Sequence, residues 1–186
     1  MSEQSTLLVF AHADEAAAFT DLPFLVTGVG KINGAGALAQ RLAEGGVERV
    51  VVLGTAGGIG DGADRLSLDT VYQVTRVVQH DFSLPSPAID LGGEVLLPED
   101  ECTAMATGDQ FVSDDADRAR IFALGAKLVD MEGYAYASVC ERFGVPLQIF
   151  KVPSDFADSE TTMADWDAIV VEKSHQLRAF WDALNA

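Results

Sequence analysis

The chain has 186 residues and is strongly acidic: 12 lysine and arginine residues stand against 29 aspartate and glutamate residues, a formal net charge of −17. This length suits one domain with a sizeable hydrophobic core, so residues 1–186 are expected to form a single domain. The charge disfavours binding to nucleic acid, because lysine and arginine side chains must neutralise its phosphates. No signal peptide or membrane span is recognisable, so a cytoplasmic protein without a membrane partner is expected.

Hydrophobic patterns and turn residues predict elements that alternate along the chain. Strands are predicted, in chain order, over residues 7–11, 24–27, 47–53, 70–79, 103–107, 126–129 and 147–152. Helices are predicted over residues 33–44, 113–123, 132–143 and 163–184. This alternation predicts an α/β fold, a three-layer α/β/α sandwich around a mixed central sheet.

Local signals set several expected boundaries. Ser113 is expected to cap the second helix, with Asp114 and Asp115 in the first turn, where the helix dipole favours acidic groups. Gly144 is expected to end the third helix in the left-handed conformation. Residues 83–100 contain several prolines and two adjacent glycines, which predict a loop that could fold over a pocket.

Two acidic side chains stand where predicted strands end. Glu132 follows the strand at residues 126–129, and Asp155 follows the strand at residues 147–152. Acidic groups at strand ends of an α/β protein lie where ligands bind. The pair therefore indicates a binding site.

Five short segments occur in a fixed order: residues 28–35, residues 52–58, residues 108–112, the Met131-Glu132 pair and the Ser154-Asp155 pair. Together they resemble the superfamily of purine nucleoside phosphorylases and methylthioadenosine/S-adenosylhomocysteine nucleosidases, in its nucleosidase branch. The resemblance covers most of residues 5–160, and the chain resembles a shortened member. It implies the nucleoside phosphorylase-like fold and hydrolysis of the N-glycosidic bond of an adenine nucleoside, such as methylthioadenosine or S-adenosylhomocysteine.

The resemblance also implies roles for individual residues. Asp155 would donate a proton to N7 of adenine, with Ser154 orienting its carboxyl group, and Glu132 would bind the ribose hydroxyls. The other implied substrate-binding residues surround the base and the sugar: Met131 beneath the sugar, Phe111 stacked on the purine, the backbone of Val112 at the purine edge, Gly57 close to the ligand, and Lys151, where related nucleosidases usually have arginine.

Glycosidic cleavage needs an acid for the leaving base, a base for water and stabilisation of a cationic sugar. By resemblance, Glu15 is the carboxylate that activates water, since it follows the first strand. Asp14 could fill the same role. The family usually has more chain between Glu15 and Gly30 than the dozen or so residues present here, so the choice between the two acids stays open.

Two other functions remain as alternatives. Phosphorylases of the superfamily bind phosphate with arginines near the first strand and the middle motif, whereas this chain has alanines at residues 16–18 and Val52-Leu53 in those regions. A phosphate without basic partners is costly to desolvate, so water is the expected nucleophile. A phosphorylase is therefore the less favoured hypothesis. A non-catalytic nucleoside-binding protein is the other alternative.

No cofactor or metal is expected. The histidines and cysteines show no metal-binding spacing, and Cys102 and Cys140 are expected to be two buried thiols. The glycines of residues 28–34 are spaced one residue too widely for a dinucleotide fingerprint. In the resembled family the segment after residues 79–81 lies near a subunit contact, so a homodimer is expected.

Overall fold

Strands and helices alternate within residues 5–186, the part of the chain that a computed structural model describes. The strands are β1 Thr6–Phe10, β2 Phe24–Val26, β3 Arg49–Gly58, β4 Tyr72–Gln79, β5 Ile89–Asp90, β6 Cys102–Thr107, β7 Leu128–Asp130 and β8 Leu147–Asp155. The helices are α1 Lys31–Ala43, α2 Asp115–Phe122, α3 Gly133–Phe143 and α4 Met163–Leu184. Short 3-10 helices cover Asp14–Phe19, Gly62–Asp64 and Glu99–Glu101.

The strands form one mixed sheet. Strand β1 lies between β2 and β3 and is parallel to both. Strand β3 pairs in parallel with β8 and in antiparallel fashion with β7, while β4 pairs with β8, β6 and β5. Because β6 also pairs with β7, strands β3, β8, β4, β6 and β7 close into a ring of paired strands.

Alternating side chains of β3 show how the layers are built. Val50 and Val52 belong to a hydrophobic cluster that also contains residues of α1 and α3. Val51 and Leu53 point to the opposite face and join a second cluster with Leu177 of α4. Since successive strand residues face opposite sides, a continuous apolar strand must be covered on both faces. The three-layer arrangement is confirmed.

The N-cap of helix α2 lies one residue later than the sequence predicts, so the expected cap is wrong. Asp114, not Ser113, is the N-cap residue: its Oδ1 atom accepts hydrogen bonds at 3.0 Å from the backbone N–H groups of Ala116 and Asp117. The carboxylate satisfies two otherwise unpaired donors of the first turn. At the end of α3, Gly144 has φ +66°, which confirms the predicted left-handed cap.

The segment 83–100 is largely irregular, as predicted, although it contributes β5 to the edge of the sheet. The side chains of Gln73 and Gln148 donate hydrogen bonds of 2.7 and 2.8 Å to the carbonyl oxygen of Glu94. Residues 89–92 border a cavity against the end of α3. That cavity is separate from the acidic cavity described below.

Candidate active site

An open cavity of about 300 Å³ lies where several strands end. Its walls follow the carboxyl ends of β1, β3, β6, β7 and β8, the position at which α/β proteins bind ligands. Glu15, Glu132 and Asp155, separated by long stretches of sequence, all line it. The fold thus brings together the three acidic residues singled out from the sequence.

Glu15 is held in the cavity wall by three donors. Its Oε1 atom accepts hydrogen bonds from the backbone N–H and the hydroxyl of Thr55, at 2.7 and 2.8 Å, and its Oε2 atom accepts one from the N–H of His12 at 3.1 Å. The residue is 3% exposed. Asp14, by contrast, has a side chain that is 55% exposed and does not line the cavity. The geometry therefore favours Glu15 over its neighbour.

Asp155 is held by donors on both carboxyl oxygens. Oδ2 accepts a hydrogen bond of 2.6 Å from the hydroxyl of Ser154, and Oδ1 accepts one of 2.8 Å from the backbone N–H of Ala157. Burial raises the pKa of this carboxyl group, although the two hydrogen bonds act in the opposite direction. A raised pKa is what a general acid needs near neutral pH.

An irregularity between β3 and β8 sets the position of Asp155. The pairing passes from Ala56 opposite Pro153 to Gly57 opposite Asp155, so that Ser154 is the extra residue. A side chain at Gly57 would begin 2.9 Å from the Cβ of Ala157 and 3.3 Å from Oδ1 of Asp155. Glycine at this position lets the two strands bring the acid into the cavity wall.

Glu132 is the N-cap residue of α3 and is buried. Its Oε1 atom accepts a hydrogen bond of 2.7 Å from the backbone N–H of Gly30, a residue with φ +96° that precedes α1. Burial and the nearby charge of Asp130 raise the pKa of Glu132 to about 8. The protonated form of this carboxyl group is therefore favoured relative to an exposed glutamate.

Lys151 lies behind the cavity wall and is not among the residues that line it. Its Nζ atom is 3.2 Å from Oδ2 of Asp130, and both side chains are almost completely buried. Burial alone would lower the pKa of Lys151, but the charges of Asp130, Glu15 and Glu132 outweigh it and raise that pKa. The lysine is thus a fixed positive charge beneath the acidic groups.

Asp130 was missed by sequence reasoning, although it directly precedes the Met131-Glu132 pair. Its carboxyl group accepts hydrogen bonds from the hydroxyl of Thr107 at 2.7 Å and from the N–H of Gly133 at 2.9 Å. These contacts connect β6, β7 and the start of α3. The feature of the sequence that could have indicated Asp130 is a second acidic residue two positions before Glu132.

Trp166 was also missed, because no pattern near it indicates a site. Its indole N–H donates a hydrogen bond of 2.9 Å to the hydroxyl of Thr55, which in turn donates to Glu15. The ring also meets His12 edge-on, with 5.3 Å between ring centroids. The first turns of α4 therefore complete the cavity above Glu15.

The other residues proposed from the sequence lie at or beside the same cavity. Those in its wall are Gly57, Phe111, Val112, Met131 and Ser154. Further lining residues that sequence reasoning did not select are Val29, Gln110, Met163 and Asp167.

Cys140 is buried and Cys102 is partly buried, and both thiols are unpaired. Within residues 5–186 no cluster of three or more histidine, cysteine, aspartate and glutamate side chains is arranged as a metal site. None of the helices in that range is long and apolar enough to cross a bilayer.

Residues 101–184 match the model of the phosphorylase superfamily. The chain is 31% identical over 173 residues to the 5′-methylthioadenosine/S-adenosylhomocysteine nucleosidase of Listeria innocua, which covers 77% of this chain and 72% of that protein. It is 29% identical over 177 residues to the aminodeoxyfutalosine nucleosidase of Helicobacter pylori, which covers 81% of this chain and 73% of that protein.

Solved structures show the same fold. The native futalosine hydrolase of Helicobacter pylori aligns with a TM-score of 0.83 at 21% identity, over 97% of each chain. The Streptococcus pneumoniae MTA/SAH nucleosidase in complex with 8-aminoadenine aligns with a TM-score of 0.81 at 16% identity, over 97% of this chain and 98% of that one.

The fold is therefore the α/β/α fold of nucleoside phosphorylase-like proteins. The chain belongs to the phosphorylase superfamily, within its nucleosidase branch of N-glycosidic hydrolases. The family predicted from five short sequence motifs is confirmed.

The raised pKa of Glu132 predicts a specific dependence of stability on pH. The ordinary pKa of 4.5 applies to the unfolded chain and a pKa of about 8 to the folded one. Between these values the folded state keeps a proton that the unfolded state has released, so this group makes the fold less stable as the pH rises. Glu132→Gln removes the titration.

Urea unfolding of both proteins between about pH 5 and pH 8 measures this contribution. We expect the wild type to lose stability relative to Glu132→Gln over that interval, by an amount on the order of a few kcal/mol. Parallel curves for the two proteins would contradict the assignment.

Proposed function

We propose that this protein hydrolyses the N-glycosidic bond of an adenine nucleoside to adenine and the free sugar. The observation that carries the proposal is the convergence of Glu15, Glu132 and Asp155 on one cavity. Relatives are named for 5′-methylthioadenosine, S-adenosylhomocysteine and aminodeoxyfutalosine, which are the first substrates to test.

Asp155 acts as the general acid in this proposal. A purine leaves more easily when it is protonated, and a buried carboxyl group with a raised pKa can hold that proton. Ser154 and the N–H of Ala157 fix both carboxyl oxygens, so the acid is oriented before the nucleoside binds. Aspartate at this position, in the resembled family, accompanies purines with a 6-amino group.

Glu15 acts as the base that activates water. A carboxylate can accept a proton from water if its oxygens are held in place and reach the reacting carbon. The three donors around Glu15 hold it in the cavity wall, in the 3-10 helix that follows β1. Glu15 and Asp155 line the same cavity, and inverting glycosidases likewise use two carboxyl groups with a water molecule between them.

Glu132 binds the ribose hydroxyls, and the apolar lining residues hold the rest of the nucleoside. Met131 lies next to Glu132 in the wall and supports the sugar, while Phe111 offers a ring for the purine. The backbone of Val112 reads the purine edge. Lys151 acts from behind, where its charge balances Asp130, Glu15 and Glu132.

Water rather than phosphate is the proposed nucleophile. Among the residues that line the cavity within the described chain, none is lysine or arginine. A phosphate dianion placed there would face carboxylates without a lysine or arginine partner in the wall, which is costly. The composition of the wall therefore favours a hydrolase over a phosphorylase.

Substitution of the acid tests the proposal. Purified wild-type protein incubated with 5′-methylthioadenosine should release adenine, and Asp155→Asn should lower that rate by roughly 10²–10⁴-fold, because the amide cannot donate the proton. Adenine is measured by chromatography, with and without inorganic phosphate.

Equal rates with and without phosphate are expected for a hydrolase. A rate that requires phosphate would overturn the choice of nucleophile. Tight binding of the nucleosides by the wild type without any adenine release would instead identify a non-catalytic binding protein.

Substitutions of Glu15 and Asp14 provide a matched pair of variants that tests which carboxylate activates water. Glu15→Gln should lower kcat by roughly 10²–10⁴-fold while the variant still binds the nucleoside, because the amide cannot accept the proton of water. Asp14→Asn changes an exposed neighbour and should stay within about threefold of wild type. The reverse order of effects would transfer the role to Asp14.

We also propose that residues 1–186 act as one nucleosidase-like domain that forms a homodimer. Four apolar residues in segments 29–32 and 82–84 are solvent-exposed: Val29 42%, Ile32 85%, Phe82 52% and Leu84 65%. An ion pair of 2.6 Å between Lys31 and Asp81 joins the two segments that carry them. Exposed apolar groups clustered in this way are typical of an interface.

Light scattering tests the dimer. Wild-type protein should have twice the chain mass of 19.8 kDa, and Ile32→Asp should shift it toward the monomer, because a charge would be buried in the interface. Val171→Asp, at an exposed site on α4, is the control and should leave the mass unchanged. A monomeric wild type would refute the dimer.

A further inference from the structure

Arg118, on α2, lies outside the cavity yet is only 8% exposed. Its guanidinium group donates two hydrogen bonds to the carboxylate of Asp61, at 2.7 and 2.9 Å. It also donates one of 2.9 Å to the carbonyl oxygen of Gly60 and one of 2.9 Å to that of Phe156. A single side chain therefore joins the segment after β3 to the segment after β8.

The bond to Phe156 bears directly on Asp155. The carbonyl of Phe156 and the N–H of Ala157 belong to the same planar peptide group and point in opposite directions. A donor that holds the carbonyl thus also fixes the direction of the N–H. This N–H donates a hydrogen bond of 2.8 Å to Oδ1 of Asp155.

The same peptide carries backbone strain. Ala157 has φ +49°, the one positive φ at a residue other than glycine within residues 5–186. An alanine in the left-handed region is unfavourable unless its surroundings hold it there. Rotation of the peptide would relieve the strain but would turn the N–H away from Asp155.

The side chains of the two residues that share this peptide also have fixed contacts. Ala157 is 1% exposed and packs against Gly57. The guanidinium carbon of Arg65 stands 3.5 Å from the centroid of the Phe156 ring. These contacts hold the side chains, whereas the hydrogen bond from Arg118 acts on the peptide plane.

We propose that Arg118 is a positioning residue for the general acid: through the Phe156–Ala157 peptide it directs an N–H donor at Asp155 and so fixes the orientation of its carboxyl group. This inference rests on the proposed role of Asp155. Asp61 supports it in turn, because its carboxylate binds the guanidinium in the forked geometry that a lysine cannot reproduce.

The first test compares three variants with wild type in the adenine-release assay. Arg118→Ala should lower kcat by about 10- to 100-fold with less than a threefold change in KM, because orientation and not binding is lost. Arg118→Lys keeps the charge near Asp61 but loses the fork, so it should show most of the same loss. Arg120→Ala, an exposed arginine on the same helix, should stay within about threefold of wild type.

A double variant separates positioning from general damage. Glycine adopts positive φ without strain, so Ala157→Gly in the Arg118→Ala background should restore part of the lost kcat. A role limited to stability predicts a further loss, because glycine at a buried position adds flexibility and removes packing. The effect of Ala157→Gly alone supplies the reference.

A second measurement does not depend on activity. Titration of Asp155 by carboxyl NMR, assigned with Asp155→Asn, should show its pKa rise by roughly one unit in Arg118→Ala, because a hydrogen bond to the ionised form is lost. The other charged groups that act on this carboxyl, Asp158 and Asp165, are unchanged in both proteins. Ala157→Gly in the same background should move the pKa back.

These outcomes keep the two proposals apart. A wild type that releases no adenine refutes the proposed function, while the titration still decides the role of Arg118. A folded Arg118→Ala protein with wild-type kcat and an unshifted Asp155 overturns the inference about Arg118. If that variant does not fold, the same results obtained with Arg118→Lys overturn it.

Discussion

Burial of several carboxyl groups around one lysine is the constraint on which the site depends. Asp130, Glu132 and Glu15 are all withdrawn from water near Lys151, and an isolated charge in such a place would be strongly unfavourable. The fold meets this cost with a buried ion pair and with hydrogen bonds from backbone N–H groups and hydroxyls. Each acid is therefore tied to a particular piece of backbone.

Similar acidic side chains differ in the contacts that hold them. Three donors point at Glu15, whereas the backbone N–H of Gly30 reaches Glu132, whose pKa is raised by burial and by Asp130. Asp155 stands apart from this group and carries its own pair of donors. The environment of each carboxyl group, rather than its residue type, therefore sets its properties.

The closed ring of strands explains how distant residues reach these positions. Strand β3 contacts both β7 and β8, so the segment with Thr55 and Gly57 lies between the strands that lead to Glu132 and Asp155. The extra residue at Ser154 then turns the acid into the cavity, and Arg118 holds the peptide beyond it. The geometry of the candidate site thus depends on strand pairing as much as on the acidic residues themselves.

Local patterns in the sequence were sufficient to predict much of the secondary structure and the family. The bounds of α4, the left-handed cap at Gly144 and the order of strands and helices follow from periodicity and turn residues, which act over a few positions. The predicted N-cap of α2 was one residue too early. Ser113 and Asp114 are both favourable N-cap residues, and the path of the backbone into the helix selects Asp114. The motifs around Glu132 and Asp155 indicated the family and the acids.

The tertiary structure alone decided which side chains share the cavity. Glu15 and Asp14 are adjacent in sequence, but only one of them turns inward to meet Thr55. Trp166 reaches Thr55 across 111 positions, and Arg118 reaches Phe156 across 38. Such contacts depend on strand register and helix packing, which are set by the whole core, so no short stretch of sequence contains them.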